Sequence, residues 1–139
     1  MKSNGYSLIE VLIAMSILTV GILAVISMQT TSLKIQSRNR LSLNVQLITQ
    51  QIIERIYVNS VDDAAVISYN GLNTKNAAPT NEPAKSDHAI FSSMLSQIPG
   101  GYVEVTVTNQ RPYPVNVRTH WAEGNIKHHL DFATYILPH

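Results

Sequence analysis

An uncharged apolar run near the N-terminus constrains this chain more than any other feature. The 18 residues from Val11 to Met28 carry no charged side chain, and Glu10 immediately precedes them. A helix rises about 1.5 Å per residue, so about 20 apolar residues cross the hydrocarbon core of a bilayer. The run therefore predicts a helix of membrane-spanning length with a carboxylate at one end.

Two ordinary interpretations of this run leave Glu10 unexplained. A cleaved secretory signal peptide would use Lys2 as its charged segment, but its apolar stretch is usually about 7–15 residues long, and an acidic residue at its head is unusual. A simple single-span anchor accounts for the length. It does not need a carboxylate, whose insertion costs roughly 2.5–3.5 kcal/mol at a helix centre and less near an end.

The residues around Glu10 resemble a processing site. The short leader MKSNG ends in a glycine, an acidic residue follows five positions later, and the apolar run comes next. This combination is similar to the prepilin site of type IV pilins and of type II secretion pseudopilins. The resemblance implies that a prepilin peptidase cuts between Gly5 and Tyr6 on the cytoplasmic side and methylates the new amine of Tyr6. Lys2 in the leader also suits the positive-inside rule.

Cleavage would give the carboxylate of Glu10 a possible partner, because it creates a positive amine on Tyr6, four residues earlier on the same helix. In a filament of packed helices the amine of one subunit can meet the Glu10 carboxylate of a neighbour. Such a pair is much stronger in low dielectric than in water, and leaving one charge unpaired there costs several kcal/mol. We predict that Glu10 sets the register of assembly, and the resemblance implies the same. Pairing within one chain stays open as an alternative.

The pattern after the run predicts an α+β fold. Residues 30–59 contain neither Gly nor Pro, and apolar residues recur there at helical spacing: Leu41, Val45, Ile48, Ile52 and Ile56. We expect one helix from about residue 6 to about residue 58, half in the membrane and half packed on a globular head. The resemblance implies a type IV pilin-like fold with a cleaved leader (1–5), a transmembrane and assembly helix (6–29) and a periplasmic head (30–139).

The middle of the chain predicts loops and short elements. Residues 61–69 fit either a short helix or a strand, and residues 70–88 are rich in Asn, Ala, Pro and Thr, which predicts a long surface loop. Ser86 or Asp87 is expected to cap a short helix at residues 89–97.

The C-terminal third predicts an antiparallel meander. Apolar residues alternate with polar ones over 103–108 and over 115–121, and a turn at 123–125 leads to a last strand over 126–136. The apolar stripe of the long helix can cover one face of this small sheet.

The sequence gives no reason to expect an enzyme, a cofactor or a metal. The chain has no Cys, which excludes disulfides and thiolate metal sites, and its formal charge of +1 does not favour nucleic acid as a partner. His128 and His129 are adjacent, so a strand would point them to opposite faces. Asp131 and His129 could be combined with a serine into a catalytic triad, but a protein of this size permits such a combination by chance. Asp62-Asp63 is expected to be a solvated pair.

Finer features are similar to one class of pilin. The chain lacks the C-terminal Cys pair of many major pilins and has Ser27 where they commonly carry a helix-kinking Pro. Residues 17–40, 53–59 and 117–124 look like the PilV-type minor pilins. The resemblance implies a chain that primes or modifies pilus assembly, with a prepilin peptidase, other minor pilins, the major pilin, the inner membrane and the pilus assembly platform as partners. It would sit in the bacterial inner membrane with its head in the periplasm and then in the pilus.

Two alternative functions remain open on the sequence. The small I-type pseudopilin of type II secretion shares the processing motif and has a similar size. A membrane-anchored binding module that never polymerises would share only the apolar helix and the head.

Overall fold

The structure is a computed structural model that describes residues 8–138. The elements in chain order are α1 (Leu8–Asn59), α2 (Asp63–Ser68), β1 (Leu72–Asn73), α3 (Ala84–Leu95), β2 (Tyr102–Val107), β3 (Tyr113–Glu123) and β4 (Ile126–Ile136). The chain divides into two compact units, of which one ends at Arg40 and the other begins at Leu41.

The long N-terminal helix is confirmed. Helix α1 has 52 residues and ends at Asn59, one residue beyond the predicted end. All of its described residues before Leu41 are exposed, including the entire apolar run. Helix α1 is long and apolar enough to cross a membrane by length and composition, with a mean hydropathy of 2.6 over its most apolar 18-residue window.

The unit that begins at Leu41 contains the predicted antiparallel sheet. Its four strands lie in the order β1-β2-β3-β4, and each pairs antiparallel with its neighbour. The β3–β4 hairpin closes at the pair Glu123↔Ile126 through a two-residue turn. Gly124 in this turn has a φ of 60°, a conformation that glycine adopts without the steric penalty of a Cβ.

The head core lies between one face of the sheet and the part of α1 that follows Arg40. The helix contributes Val45, Ile52 and Ile56 to this core, as its apolar spacing predicts. The sheet contributes alternate residues of β2 and β3, among them Val103, Val105, Val107, Val115 and Val117. Removing this apolar surface from water is the main stabilising contribution to the head.

The structure decides one alternative that the sequence left open in the middle of the chain, and it corrects one prediction. Of the two possibilities for residues 61–69, the helix is present as α2, and the Asp62 carboxylate caps it by accepting a hydrogen bond from the Ala65 amide at 2.7 Å. The long loop predicted at 70–88 is shorter and partly structured. Leu72 and Asn73 pair with β2, and α3 already begins at Ala84.

The predicted cap of α3 is wrong as well. Pro83 occupies the cap position without a side-chain hydrogen bond, and α3 ends at Leu95, two residues earlier than expected. Asp87 lies within the first turn and is buried, because its carboxylate binds side chains of other elements instead of the helix amides. The buried stripe of α3 therefore contains a charged residue, which hid the start of the helix from the hydrophobic pattern.

Candidate functional site

The residues predicted to be processed lie at the extreme N-terminus. Gly5 and Tyr6 are outside the described residues, so cleavage and methylation there stay predictions. Glu10 lies in the first turn of α1 with an exposed side chain. A carboxylate in a first turn is favoured by the helix dipole by about 0.3–1 kcal/mol at a surface. Its pairing with an amine stays a prediction.

Four hydroxyls in and just after the apolar run donate hydrogen bonds to nearby carbonyls of the same helix. The hydroxyls of Ser16 and Thr19 each donate to the carbonyl four residues earlier, at 2.8 Å. Thr30 and Thr31 both donate to the carbonyl of Ser27, at 2.9 and 3.0 Å. Because hydrocarbon offers no hydrogen-bond partners, this pattern lets the hydroxyls enter a bilayer at reduced cost.

The charges that flank the run are unevenly distributed. No charged residue occurs between Glu10 and Lys34, and three exposed cations, Lys34, Arg38 and Arg40, follow within the seven residues 34–40. The leader on the other side carries one cation, Lys2. The positive-inside rule compares the cations near the two ends of the span. Applied alone, it would place Lys34, Arg38 and Arg40 on the cytoplasmic side, which is the reverse of the predicted orientation.

A buried carboxylate organises the part of the head near the end of α1. Arg55 Nε donates to Asp87 Oδ1 at 2.6 Å, Asn59 Nδ2 donates to Asp87 Oδ2 at 2.8 Å, and the Tyr69 hydroxyl also donates to Oδ2. Burial, followed by the bond to Asp87, raises the pKa of Tyr69. With three donors on its two oxygens, the Asp87 carboxylate acts as a structural acceptor that joins α1, α3 and the end of α2.

Charged groups on the outer face of the sheet form a cross-strand pair. Arg118 donates from Nε and Nη2 to the two oxygens of Asp131, at 2.5 and 3.0 Å. The hydrogen bond from Arg118 lowers the pKa of Asp131. Asp131 is therefore engaged by a guanidinium, and a hydrolase-type triad with His129 has no support.

A row of rings crosses the same outer face. Tyr102 and His120 stack with ring centroids 4.2 Å apart, and His129 follows at 6.0 Å from His120. Lys75 lies 3.9 Å above the Tyr102 ring. His128 stacks instead on Trp121, so the prediction that His128 and His129 face opposite sides is confirmed. Among residues 8–138, no cluster of three or more His, Cys, Asp or Glu side chains could hold a metal ion.

An apolar groove opens at the edge of the sheet. It measures about 220 Å³ and lies between α1 and the edge strand β4, lined by Ile53, Tyr57, Phe132, Ile136 and their polar neighbours Gln50, Glu54 and Thr134. Phe132 is 40% exposed there although it lies on the core face of β4. The sequence predicted the helix and the last strand that border this groove, but not the opening between them.

Comparison with known proteins matches the N-terminal part of the chain to a known sequence motif. Residues 1–26 match the prokaryotic N-terminal methylation motif, which covers the leader, Glu10 and most of the apolar run. Comparisons with curated proteins and with solved structures gave no match. The motif supports a type IV pilin or pseudopilin in general, a class of chain that serves as the substrate of a processing enzyme. The α+β fold, an apolar N-terminal helix followed by a four-stranded antiparallel sheet, is consistent with a type IV pilin fold.

Proposed function

We propose that this chain is a PilV-type minor pilin that enters a type IV pilus through its N-terminal helix and helps to prime or modify pilus assembly. The observation that carries the proposal is the methylation motif at residues 1–26. It is joined to an apolar helix whose described side chains are all exposed before Leu41. Such a helix needs a membrane or neighbouring helices to cover it, and a pilin has each in turn.

The proposal divides the chain by task. Residues 1–5 are the leader that a prepilin peptidase removes, and residues 6–29 anchor the chain in the inner membrane and then join the filament. Residues 30–139 supply the head, which meets other minor pilins, the major pilin and the assembly platform. The apolar groove between α1 and β4 is our candidate for contact with a neighbouring subunit.

The processed N-terminus provides the decisive test of this function. Mass spectrometry of the protein purified from its native membrane should find residues 1–5 removed and a methylated amine on Tyr6. The variant Gly5→Val, expressed in parallel, should keep its leader. An intact Met1 in the unchanged protein, or a start near Met28, would overturn the pilin proposal.

Orientation needs its own measurement, since the cations after the run favour the reverse topology. The chain has no native Cys, so Ser93→Cys on the exposed side of α3 creates a single reporter. A membrane-impermeant maleimide should label it in cells whose outer membrane alone is permeabilised. Labelling only after the inner membrane is opened would contradict a periplasmic head.

A type II secretion pseudopilin of the I type is the second candidate, because pilins and pseudopilins share the methylation motif. Deletion of the gene separates the two. Loss of surface pili and of twitching supports the minor pilin, and loss of exoprotein release with intact pili supports the pseudopilin. A chain that is never found in sheared filaments and affects neither process would be a membrane-anchored binding module.

A further inference from the structure

We propose that Lys34, Arg38 and Arg40 form a basic collar that binds the anionic phospholipid headgroups where α1 leaves the bilayer. The inference rests on the membrane span in the proposed function, but not on assembly into a pilus. The basic collar lies within the unit that ends at Arg40, and all three side chains are exposed.

The position of the collar follows from helix geometry. The uncharged part of α1 runs from Val11 to Leu33, which is about 35 Å of helix. A hydrocarbon core that begins at Val11 ends about 20 residues later, near Thr30. The hydroxyl residues 30–32 then lie at the interface, and Lys34 lies about 6 Å beyond the hydrocarbon, at the level of the headgroups.

The direction of the side chains brings the charged ends of Arg38 and Arg40 back toward the level of the headgroups. Each Cα–Cβ bond in an α-helix tilts toward the helix N-terminus, which for α1 is the direction of the membrane. Long cationic side chains also extend along the helix so that their charged ends reach the interface. The backbones of Arg38 and Arg40 lie about 12 and 15 Å beyond the hydrocarbon, so their long side chains can reach back toward the phosphates.

The charges and their level along α1 suit an anionic lipid surface. At 100° per residue, Lys34 and Arg38 lie about 40° apart around the helix, and Arg40 lies about 160° from Arg38. All three cations therefore lie within an arc of about 160° on one side of α1, and each can reach the headgroup layer that lies against that side. No acidic residue occurs between Glu10 and Glu54 to repel an anionic surface.

The collar would fix the depth of the chain in the bilayer. Glu10 lies at one end of the uncharged run and the cations lie at the other, so moving α1 along the membrane normal would pull one of these groups out of its preferred layer. Each cation near an anionic surface strengthens membrane attraction by about fivefold. Extraction of the chain from the membrane must therefore break these lipid contacts.

Lipid enrichment around the full chain tests this proposal. The full chain, purified from its native membrane, is placed in nanodiscs of phosphatidylcholine and phosphatidylglycerol at 7:3, and native mass spectrometry counts the lipids that stay bound on release. We expect phosphatidylglycerol to be enriched at least fivefold over its bulk ratio. The variant K34Q/R38Q/R40Q should lose this enrichment, and salt should weaken it in the unchanged protein.

A head variant with the same change of charge is the matched control. K85Q/R111Q/K127Q removes three exposed cations from the head, and it should keep the enrichment of the unchanged protein. Equal enrichment in the collar variant and the unchanged protein, or no preference for phosphatidylglycerol in either, would overturn the proposal. The state of the N-terminus, measured on the same samples, tells separately whether the pilin proposal stands.

Discussion

Asp87 on α3 and Arg55 on α1 are joined by a hydrogen-bonded ion pair, with Arg55 Nε 2.6 Å from Asp87 Oδ1. The carboxylate is only 1% exposed, whereas the guanidinium is half-exposed. Asn59 and Tyr69 bind the other oxygen of the same carboxylate. One buried charge therefore connects the last turns of α1 with α3 and the end of α2, and its removal should loosen the head at several elements together.

Removing the charge of Asp87 should destabilise the head strongly. Asp87→Asn replaces a carboxylate that accepts three hydrogen bonds by an amide whose nitrogen cannot accept one. It also leaves the Arg55 guanidinium without its carboxylate. Breaking one side of a buried pair costs about 3–5 kcal/mol, and the half-exposed arginine places this variant at the low end, about 3 kcal/mol. Urea unfolding of the full chain in detergent, followed by Trp121 fluorescence, measures the loss.

The exposed pair on the sheet offers the comparison for this prediction. Asp131→Asn breaks a hydrogen-bonded pair of similar geometry, but both partners are more than two-fifths exposed. Exposed pairs contribute little because water and salt screen them. Equal destabilisation by Asp87→Asn and Asp131→Asn would contradict the argument that burial makes the Asp87 pair important.

A buried pair of hydroxyls joins α1 to the sheet. Thr49 Oγ1 lies 2.7 Å from the carbonyl oxygen of Val45 and 2.8 Å from Thr119 Oγ1, and both threonines are fully buried. A hydroxyl has one proton, so Thr49 donates to the carbonyl and accepts from Thr119. Thr49→Val should therefore leave the Thr119 hydroxyl buried without an acceptor, at a cost of about 1–3 kcal/mol.

The double variant Thr49→Val/Thr119→Val sharpens this prediction. Replacing both hydroxyls by methyl groups of similar shape leaves no orphaned donor, and such a change can be nearly neutral. We expect the double variant to be more stable than Thr49→Val alone, as measured by a double-mutant cycle in urea. If the losses of stability in the two single variants simply add up in the double variant, the two hydroxyls do not hydrogen-bond to each other.

The regular elements were predictable because their side chains repeat with a period. Alternation at Val103, Val105 and Val107 identified β2 and its buried face, and the spacing of Val45, Ile52 and Ile56 identified the buried stripe of α1. Both patterns are local properties of the chain, since the backbone geometry of each element fixes which residues share a face.

Features that depend on contacts between distant residues were not predictable. The start of α3 was missed because Asp87 occupies a buried position, and only its partners 18 to 32 residues away explain why a carboxylate is tolerated there. The groove was missed because it depends on packing between distant residues. Helix α1 covers only part of the Phe132 side chain, and the uncovered part lines the groove. The processing site rests on a motif, so its chemistry stays a prediction of the sequence.

Alkaline pH should weaken the head through Tyr69. Its pKa is raised in the folded protein above an ordinary value of about 10, so above that pH the unfolded chain loses a proton that the folded chain keeps. The contribution of Tyr69 is complete below about pH 10 and declines as pH rises above it. The difference in unfolding free energy between the unchanged protein and Tyr69→Phe should be constant from pH 8 to about 10 and then shrink.

Absorbance at 295 nm gives an independent check on Tyr69. The folded chain should contain a tyrosine that stays protonated through the main phenolate transition, and Tyr69→Phe should remove that late component. Tyr113, whose pKa is also raised by burial, serves as a second late group that the variant leaves in place. A free-energy difference that stays flat to pH 12 would contradict the assignment.

Acid should act on the head through Asp131. Because Arg118 lowers the folded-state pKa of Asp131, the pair stabilises the fold above about pH 4 and loses that contribution as pH falls through the folded-state pKa. Asp131→Asn should therefore be slightly less stable than the unchanged protein at neutral pH, and this difference should shrink as acid protonates Asp131. High salt at neutral pH should also reduce the difference. A difference that grows on acidification would have the wrong sign.

Glu10 should matter for assembly and much less for cleavage. The predicted cut between Gly5 and Tyr6 does not use this carboxylate, but the predicted pairing with a methylated amine does. Glu10→Ala should therefore be processed to a chain that starts at Tyr6, while its methylation or its recovery in sheared filaments falls by about tenfold or more, as expected if several kcal/mol of pairing is lost. Glu54→Ala, which removes a carboxylate from the head part of α1, is the matched control and should be processed and methylated normally. Normal filament incorporation of Glu10→Ala would exclude the pairing role, whereas failure of cleavage itself would mean that Glu10 belongs to the recognition site of the peptidase.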